Sequence, residues 1–160
     1  MPASTDGFRA AMRRFATGVA IVTTVHEGQI HGFTANAFAS VSADPPTVLI
    51  CVNRSARAHP LIAASQRFCV NLLALEQRDL AVRFAGGDPV QRFEGVAYHP
   101  GVTGSPILEG TLAHVDCTLG EELTAATHTI FLGTVVEAGF RDGAPLGYFD
   151  RAYRDFTVTT

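Results

Sequence analysis

The stretch from Leu112 to Leu119 alternates without a break. Ala113, Val115, Cys117 and Leu119 fall on one side, and His114, Asp116 and Thr118 fall on the other. A period of two is the side-chain period of an extended strand, and an apolar side opposite a polar one predicts a strand with one face buried and one face wet. Antiparallel sheets tolerate that arrangement and parallel ones seldom do. Other segments agree. Val19–Val25 is apolar and β-branched, Glu27-Gly28-Gln29 reads as a turn, and Ile30–Ala35 returns as the second arm of a hairpin. Asp44-Pro45-Pro46 breaks the chain, and the continuous apolar run Thr47–Val52 that follows is expected to be buried on both faces. Phe68–Leu73, Thr129–Ala138 and Leu146–Phe149 read as further strands.

Helical signals are fewer. Residues 5–17 read as one helix, with Phe8, Ala11, Met12, Phe15 and Ala16 on its apolar face and Gly18 as its stop. Thr5 or Asp6 can cap its start, because a side-chain oxygen accepts from the unpaired first-turn N–H groups. Residues 56–64 predict a short helix with Pro60 in its first turn, where a missing N–H is tolerated. Leu75–Phe84 predicts another. Residues 85–110 are rich in Gly and Pro and predict a long irregular excursion, of the kind that is commonly functional. The 160 residues are therefore expected to form one mainly β domain, a Greek-key-like antiparallel barrel with a few peripheral helices.

Composition narrows the function. With 47% apolar residues and a formal charge of −3, the chain is a compact globule, and no basic excess marks it as a partner of nucleic acid. A binder of anionic phosphate would need a local positive pocket. No apolar run approaches the roughly 20 residues that span a bilayer, so no membrane partner is expected. Residues 1–17 lack the apolar stretch of a signal peptide, and a cytoplasmic location is expected. Cys51, Cys69 and Cys117 are odd in number, widely spaced and set in apolar runs, which reads as buried free thiols in a reducing compartment. The six histidines show no metal-ligand spacing, so no metal is expected. Neither a nucleophile elbow nor a glycine-rich phosphate loop is present.

Three stretches hold polar groups that plain core packing would not use. Gly32–Ser42 carries three hydroxyl residues and one amide between small residues; it is either a ligand site or a polar turn. Cys51–His59 follows an apolar strand and opens a helix, with Asn53, Ser55, Arg54 and Arg57 at the junction. A helix start beside cations is a natural phosphate site, and an ordinary helix start with solvated arginines has the same sequence. His128, at the start of an apolar strand, is either a site residue or merely exposed.

Taken in order, these stretches resemble the flavin reductase family, the small reductase components of two-component flavin monooxygenases, over nearly the whole chain from Phe8 to Phe156. The likeness rests on Phe15-Ala16-Thr17-Gly18-Val19, on Thr34-Ala35-Asn36-Ala37-Phe38 with Ser40-Val41-Ser42, and on Pro45-Pro46 leading into Val48–Asn53. It continues in His128-Thr129-Ile130 before Gly133, and in Pro145–Phe149 with Arg151 and Tyr153-Arg154. The resemblance implies an FMN-binding split barrel that binds FMN or FAD and NADH or NADPH, works as a homodimer, and supplies reduced flavin to a flavin-dependent monooxygenase. It implies that Thr34, Ala35, Asn36, Ala37, Ser40 and Ser42 border the flavin ring, that Cys51, Val52 and Asn53 lie beside the ribityl chain, and that Ser55 and Arg57 hold the phosphate. Arg83, Phe84 and Ala85 would form a further flavin-contacting corner, Tyr148 and Arg151 would lie near the nucleotide or the dimer seam, and His128 would stand beside the nicotinamide. Three positions depart from the family pattern: Thr127 where an acidic residue is common, Arg57 where a hydroxyl is common, and Gly147 where a bulkier residue is common. A tight FMN flavoprotein acting on another substrate, a non-enzymatic flavin-binding module, and a split barrel for haem or a pyridoxal compound are the alternative readings.

Overall fold

The structure, a computed structural model, describes residues 1–157. Its elements in chain order are α1 (Thr5–Met12), β1 (Thr17–Gly18), β2 (Ala20–His26), β3 (Gln29–Ala35), β4 (Phe38–Ala43), β5 (Pro46–Asn53), α2 (Ala58–Ser65), β6 (Arg67–Leu72), α3 (Arg78–Ala85), β7 (Tyr98–Pro100), β8 (Pro106–Leu108), β9 (Ala113–Ala125), β10 (His128–Phe140), β11 (Leu146–Phe149) and β12 (Ala152–Asp155). Seven strands form one antiparallel sheet in the order β3-β2-β6-β9-β10-β5-β4. A smaller sheet, β1-β11-β12, and the pair β7-β8 flank it. The order is Greek-key-like: β5 lies beside β10, not β6, and β6 crosses over to β2.

Alternation along β2 divides the core in two. Ala20 and Val22 join Val48, Ile50, Val52, Phe68, Val70, Cys117 and Phe131 in the larger cluster, which α2 closes with Ala58 and Ile62. Val19 and Ile21 face the other way, against Ala81 and Phe84 of α3, Leu108 and Leu146. Thus β2 is covered on both faces. The expectation of two buried faces for Thr47–Val52 is corrected: Val48, Ile50 and Val52 are buried, whereas Thr47, Leu49 and Cys51 are only half-buried. The reason is that α3 packs against β2 and β3, and the outer face of β5 has no such helix.

The alternating strand runs on to Ala125, and its polar side is not uniformly wet. Asp116 is fully buried, because the excursion after α3 folds over β9 and gives it two donors, Thr103 N–H at 2.7 Å and Thr103 Oγ1 at 2.6 Å. The excursion itself contains β7 and β8, which no sequence pattern announced. The first helix stops at Met12, not at residue 17, since Thr17 and Gly18 are drawn into a sheet opposite Tyr148 and Gly147. Its cap is Ser4, whose Oγ accepts from Gly7 N–H at 3.1 Å. The predicted hairpin is present, and Glu27 and Gly28 both take positive φ (50° and 77°), the pattern of a two-residue turn whose twist matches the strands. Gly147 has no room for the bulkier residue of the family pattern, because the Phe156 ring lies 2.5 Å from where its Cβ would be.

Cys69 and Cys117 are buried in the sheet, and burial pushes the Cys117 thiol up to about 12. Beside Cys117, β10 carries Gly133, where an added Cβ would stand 2.5 Å from Phe68 Cζ and 2.8 Å from Cys117 Cβ. The Gly133→Ala variant is therefore expected to lose about 1–3 kcal/mol of stability through overpacking, read as a lower denaturant midpoint at unchanged slope.

Candidate active site

The large sheet does not close into a full barrel. β3 ends one side and pairs only with β2, so its outer row of N–H and C=O groups is free to bind. β4 ends the other side. The short link Asn36-Ala37 crosses between them and is tied to β5: Cys51 N–H donates to Ala37 O at 3.0 Å, and Phe38 pairs with Ile50. From that junction β3 runs back towards His31, and the chain from Cys51 runs on to Arg57. His31 and Arg57 line one hollow at the far end. His31 lies six positions before Ala37 along the chain, an extended length of at most about 20 Å.

Near the junction lies a hollow of about 340 Å³, lined by Val19, Phe33, Thr34, Ala35, Asn36, Phe84, Ala85, Arg92, Tyr148 and Tyr153. Its walls are aromatic and amide, with one cation and no carboxylate. Thr34 Oγ1 donates to Ala81 O at 2.6 Å, which ties β3 to α3. Gly32 allows the close approach of α3 and the loop beyond it, since a Cβ there would lie 2.8 Å from Phe84 Cε1 and 3.0 Å from Phe93 Cζ. Arg92 Nη1 then donates to Gly32 O at 2.8 Å, so the free edge of β3 fixes this guanidinium. The Tyr148 and Tyr153 rings meet at 5.5 Å, nearly edge to face.

A second hollow adjoins the junction, lined by Phe15, Thr17, Val19, Ala35, Asn36 and Phe38 among others. There Thr17 Oγ1 is buried with no hydrogen-bond partner among the described residues. An unmet buried hydroxyl invites a ligand group. That atom, the free strand edge and the absence of acidic side chains on the first hollow all suit a flat, polar, phosphorylated ring.

Most of the implied site residues converge. Thr34, Ala35, Asn36, Phe84, Ala85 and Tyr148 line the first hollow, and Ala37 and Cys51 form the junction. Asn53 Oδ1 accepts from both Ser55 N–H and Ser55 Oγ at 2.9 Å, a turn that launches α2. Arg57 occupies the N-cap position without capping it by its side chain, and it lines the hollow that also holds His31. His128 pairs with Asn53, and the Thr127 hydroxyl lies 2.9 Å from His128 Nδ1. Arg151 adjoins Asn36 and Tyr148 in a hollow under α1.

Others do not converge. Arg83 points away and donates to Gln91 O and Glu94 O, pinning the loop after α3. The Val52 side chain belongs to the core. Ser40 pairs with Val48, and Ser42 pairs with Thr47 and bonds Asp44, at the end of β5 remote from Asn53. Sequence reasoning missed Arg92, His31, Phe33 and Tyr153. The irregular excursion was recognised as a place to look, but only the strand register of β3 selects Arg92 within it.

Burial, and the Arg92 and Arg57 cations, hold the His31 imidazole below its usual value of 6.5. A histidine whose folded value lies below its free one is protonated more readily in the unfolded chain. Its neutral form is therefore compatible with full stability above about pH 6.5, and stability is lost as the pH falls below it. Thermal unfolding midpoints are expected to fall from about pH 7 to about pH 5, and the His31→Gln variant is expected to fall less over that window.

Comparison with known proteins agrees with this geometry. A family model described as flavin reductase like domain matches residues 12–157. The FMN reductase (NADH) RutF of Stutzerimonas stutzeri is 42% identical over 154 residues, covering 95% of this chain and 88% of its own. The flavin-dependent monooxygenase reductase subunit HsaB of Mycobacterium tuberculosis is 40% identical over 128 residues, covering 80% of this chain and 68% of its own. The NADH:FAD oxidoreductase SgcE6 of Streptomyces globisporus, solved with NAD and FAD fragments, superposes with a TM-score of 0.91 at 33% identity, covering 98% of this chain and 95% of its own. With the family model matching residues 12–157 and relatives 40% or more identical across most of its length, this chain belongs to the flavin reductase family.

Proposed function

We propose that this chain is an NAD(P)H:flavin oxidoreductase that reduces FMN or FAD in the hollow beside the Ala37–Cys51 junction and supplies the reduced flavin to a partner flavin-dependent monooxygenase. The observation that carries the reading is the Ala37–Cys51 junction, where Cys51 N–H donates to Ala37 O at 3.0 Å and so ties the Thr34–Ala37 segment beside the ring hollow to the strand that leads into the Asn53–Arg57 turn. The nucleotide named for RutF and for SgcE6 is NADH, and HsaB is named as a monooxygenase subunit; both names support the proposal.

Hydride transfer from a nicotinamide to flavin N5 is chemistry that the two cofactors supply. The chain holds the rings at contact distance and excludes water, and orientation of this kind is worth roughly 7–11 kcal/mol of barrier in well-aligned reactions. Phe33, Phe84 and Tyr148 supply apolar and aromatic walls for the flavin ring. The free edge of β3 at Thr34–Asn36 offers backbone groups to its polar rim, and N–H donors there stabilise charge that grows on reduction. Ser55, Arg57 and Arg92 hold the phosphate. His128 orients the nicotinamide, and no side chain is needed as an acid or base in the hydride step.

The assembly is a homodimer. Phe8 and Met12 of α1 and Phe15 just after it are 61%, 44% and 64% exposed, an apolar patch left open among the described residues of one chain. Asn36 and Tyr148 line both the flavin hollow and the hollow under α1, so a second copy seated on α1 would complete the site.

Two expected outcomes follow. Steady-state oxidation of NADH should require added FMN or FAD, and Arg57→Gln should raise the KM for FMN about tenfold, the scale of one charged hydrogen bond, with little effect on riboflavin, which lacks the phosphate. No flavin-dependent turnover at all would remove the proposal. Sedimentation should give twice the chain mass, and Phe15→Asp should yield monomer with lowered turnover.

A further inference from the structure

A helix start that lacks a side-chain cap has to be fixed by something else, and the start of α2 is fixed by a histidine. Arg57 takes helical φ and ψ (−58° and −31°) at the N-cap position and makes no side-chain cap bond there. Two residues on, His59 Nε2 and Thr129 Oγ1 of β10 share a hydrogen bond at 2.7 Å, and the His59 ring lies 5.3 Å from that of Phe131. Thr129 is 4% exposed and pairs with Val52 of the larger core cluster. A hydroxyl buried in such surroundings needs a partner, so the bond fixes where the imidazole sits.

The segment from Asn53 to His59 is held at both ends by the entry to β10. At its start, Arg54 N–H donates to Thr127 O at 2.9 Å, and Asn53 pairs with His128. At its end stands the His59–Thr129 bond. Between them the bonds are local: Ser55 N–H and Oγ donate to Asn53 Oδ1, Ala56 N–H donates to Asn53 O, and His59 N–H donates to Ala56 O. Local bonds fix the shape of a turn, whereas the clamps at Thr127 and Thr129 fix where it lies. Ser55 and Arg57 ride on the clamped span. His128 comes between the two threonines, and alternation along an extended strand sends its side chain to the face opposite that of Thr129. Its own place is set by ladder pairs with Asn53 and Ala125, not by His59.

We infer that His59 is a positioning residue for flavin reduction: through Thr129 it holds the Ser55–Arg57 segment where those residues meet the flavin phosphate. This rests on the reading of Ser55 and Arg57 as the phosphate grip. The His59 side chain is engaged by Thr129 and Phe131, so it acts through the turn and not on a cofactor. Loss of its bond lets the segment shift. The phosphate end of the flavin feels that shift, and the ring hollow at Thr34–Asn36, built on β3 and α3, does not.

The test is steady-state turnover with FMN and with riboflavin, which lacks the phosphate, for wild type, His59→Phe, His59→Gln, Thr129→Val and the double variant His59→Phe with Thr129→Val. Phe keeps the packing on Phe131 and loses the bond; Gln keeps a hydrogen-bonding end. Val matches Thr in size, so Thr129→Val carries the test should His59→Phe fail to fold. His59→Phe should raise the KM for FMN about fivefold, the scale of one hydrogen bond, with kcat and the KM for riboflavin within about twofold of wild type. Thr129→Val should do the same, the double variant should lose no more than either single change, and His59→Gln should recover most of the loss. An unmoved KM for FMN, equal changes for FMN and riboflavin, additive losses in the double variant, or a Gln variant no better than Phe would overturn the inference. If Arg57→Gln still distinguishes FMN from riboflavin, only the role of His59 is lost. If Arg57→Gln fails to distinguish them, the reading of the phosphate grip falls and takes the inference with it.

Discussion

The two ends of the large sheet, β3 and β4, are joined by a two-residue link instead of a ladder of hydrogen bonds, and the split in the barrel follows from that. If β3 continued into a pairing with β4 or β5, its outer edge would be consumed by ladder bonds and no polar rim would remain for a ligand. The chain instead leaves β3 at Ala35, crosses in two residues, and is caught at Ala37 O by Cys51 N–H. An unpaired strand edge is normally a liability, because it offers its backbone groups to any passing strand. Here α3 and the loop after it shield part of that edge, and Arg92 takes the carbonyl of Gly32. What stays open is the short Thr34–Asn36 segment, which is enough for a small polar ring and too little for another strand.

The cations depend on the same edge. Across the whole chain acids outnumber bases, so an anionic ligand gains nothing from net charge. Attraction has to be local, and the fold makes it so by bringing Arg57 from the start of α2 into one hollow with His31 and Arg92 from the irregular loop onto Gly32 O, next to His31 in the strand. The depressed imidazole is the signature of that crowding: a third positive charge there would be buried beside two others. Keeping His31 neutral lets it remain buried at 7% exposure without a counter-charge.

How much of this was legible follows from what each pattern records. Alternation and β-branched runs report strands, and the hairpin at Glu27-Gly28, the strand Phe68–Leu72 and the alternating strand from Ala113 were legible for that reason. The same patterns cannot report what covers a face. Thr47–Val52 looks doubly buried because Leu49 and Cys51 are apolar, yet no helix packs on them. Asp116 looks wet because it is acidic, yet the loop residue Thr103 satisfies it inside. The site divides in the same way. Thr34–Ala37 and Cys51–Arg57 stood out by polar content and by family resemblance. Arg83 was implied by the family resemblance, and Arg92 lay in no motif. The helix turns Arg83 outward, and a loop without periodicity delivers the arginine that lines the hollow.

The exposed face of α1 connects the split to the assembly. An exposed patch of Phe8 and Met12 on α1 with Phe15 just after it would cost a lone chain solubility, and α1 buries no residue of its own. It is nonetheless held near the site: Asp150 N–H bonds Arg13 O at 3.2 Å, and the Arg14 and Asp150 side chains pair at 3.0 Å. Asp150 and Arg151 both take positive φ (48° and 66°), so the tight turn between β11 and β12 sets where α1 lies. That turn also places Tyr148 on the wall of the ring hollow. Any partner that buries the aromatic face of α1 therefore presses on the strand carrying Tyr148, and coupling between assembly and ligand binding needs no mobile segment, only the rigidity of one short hairpin.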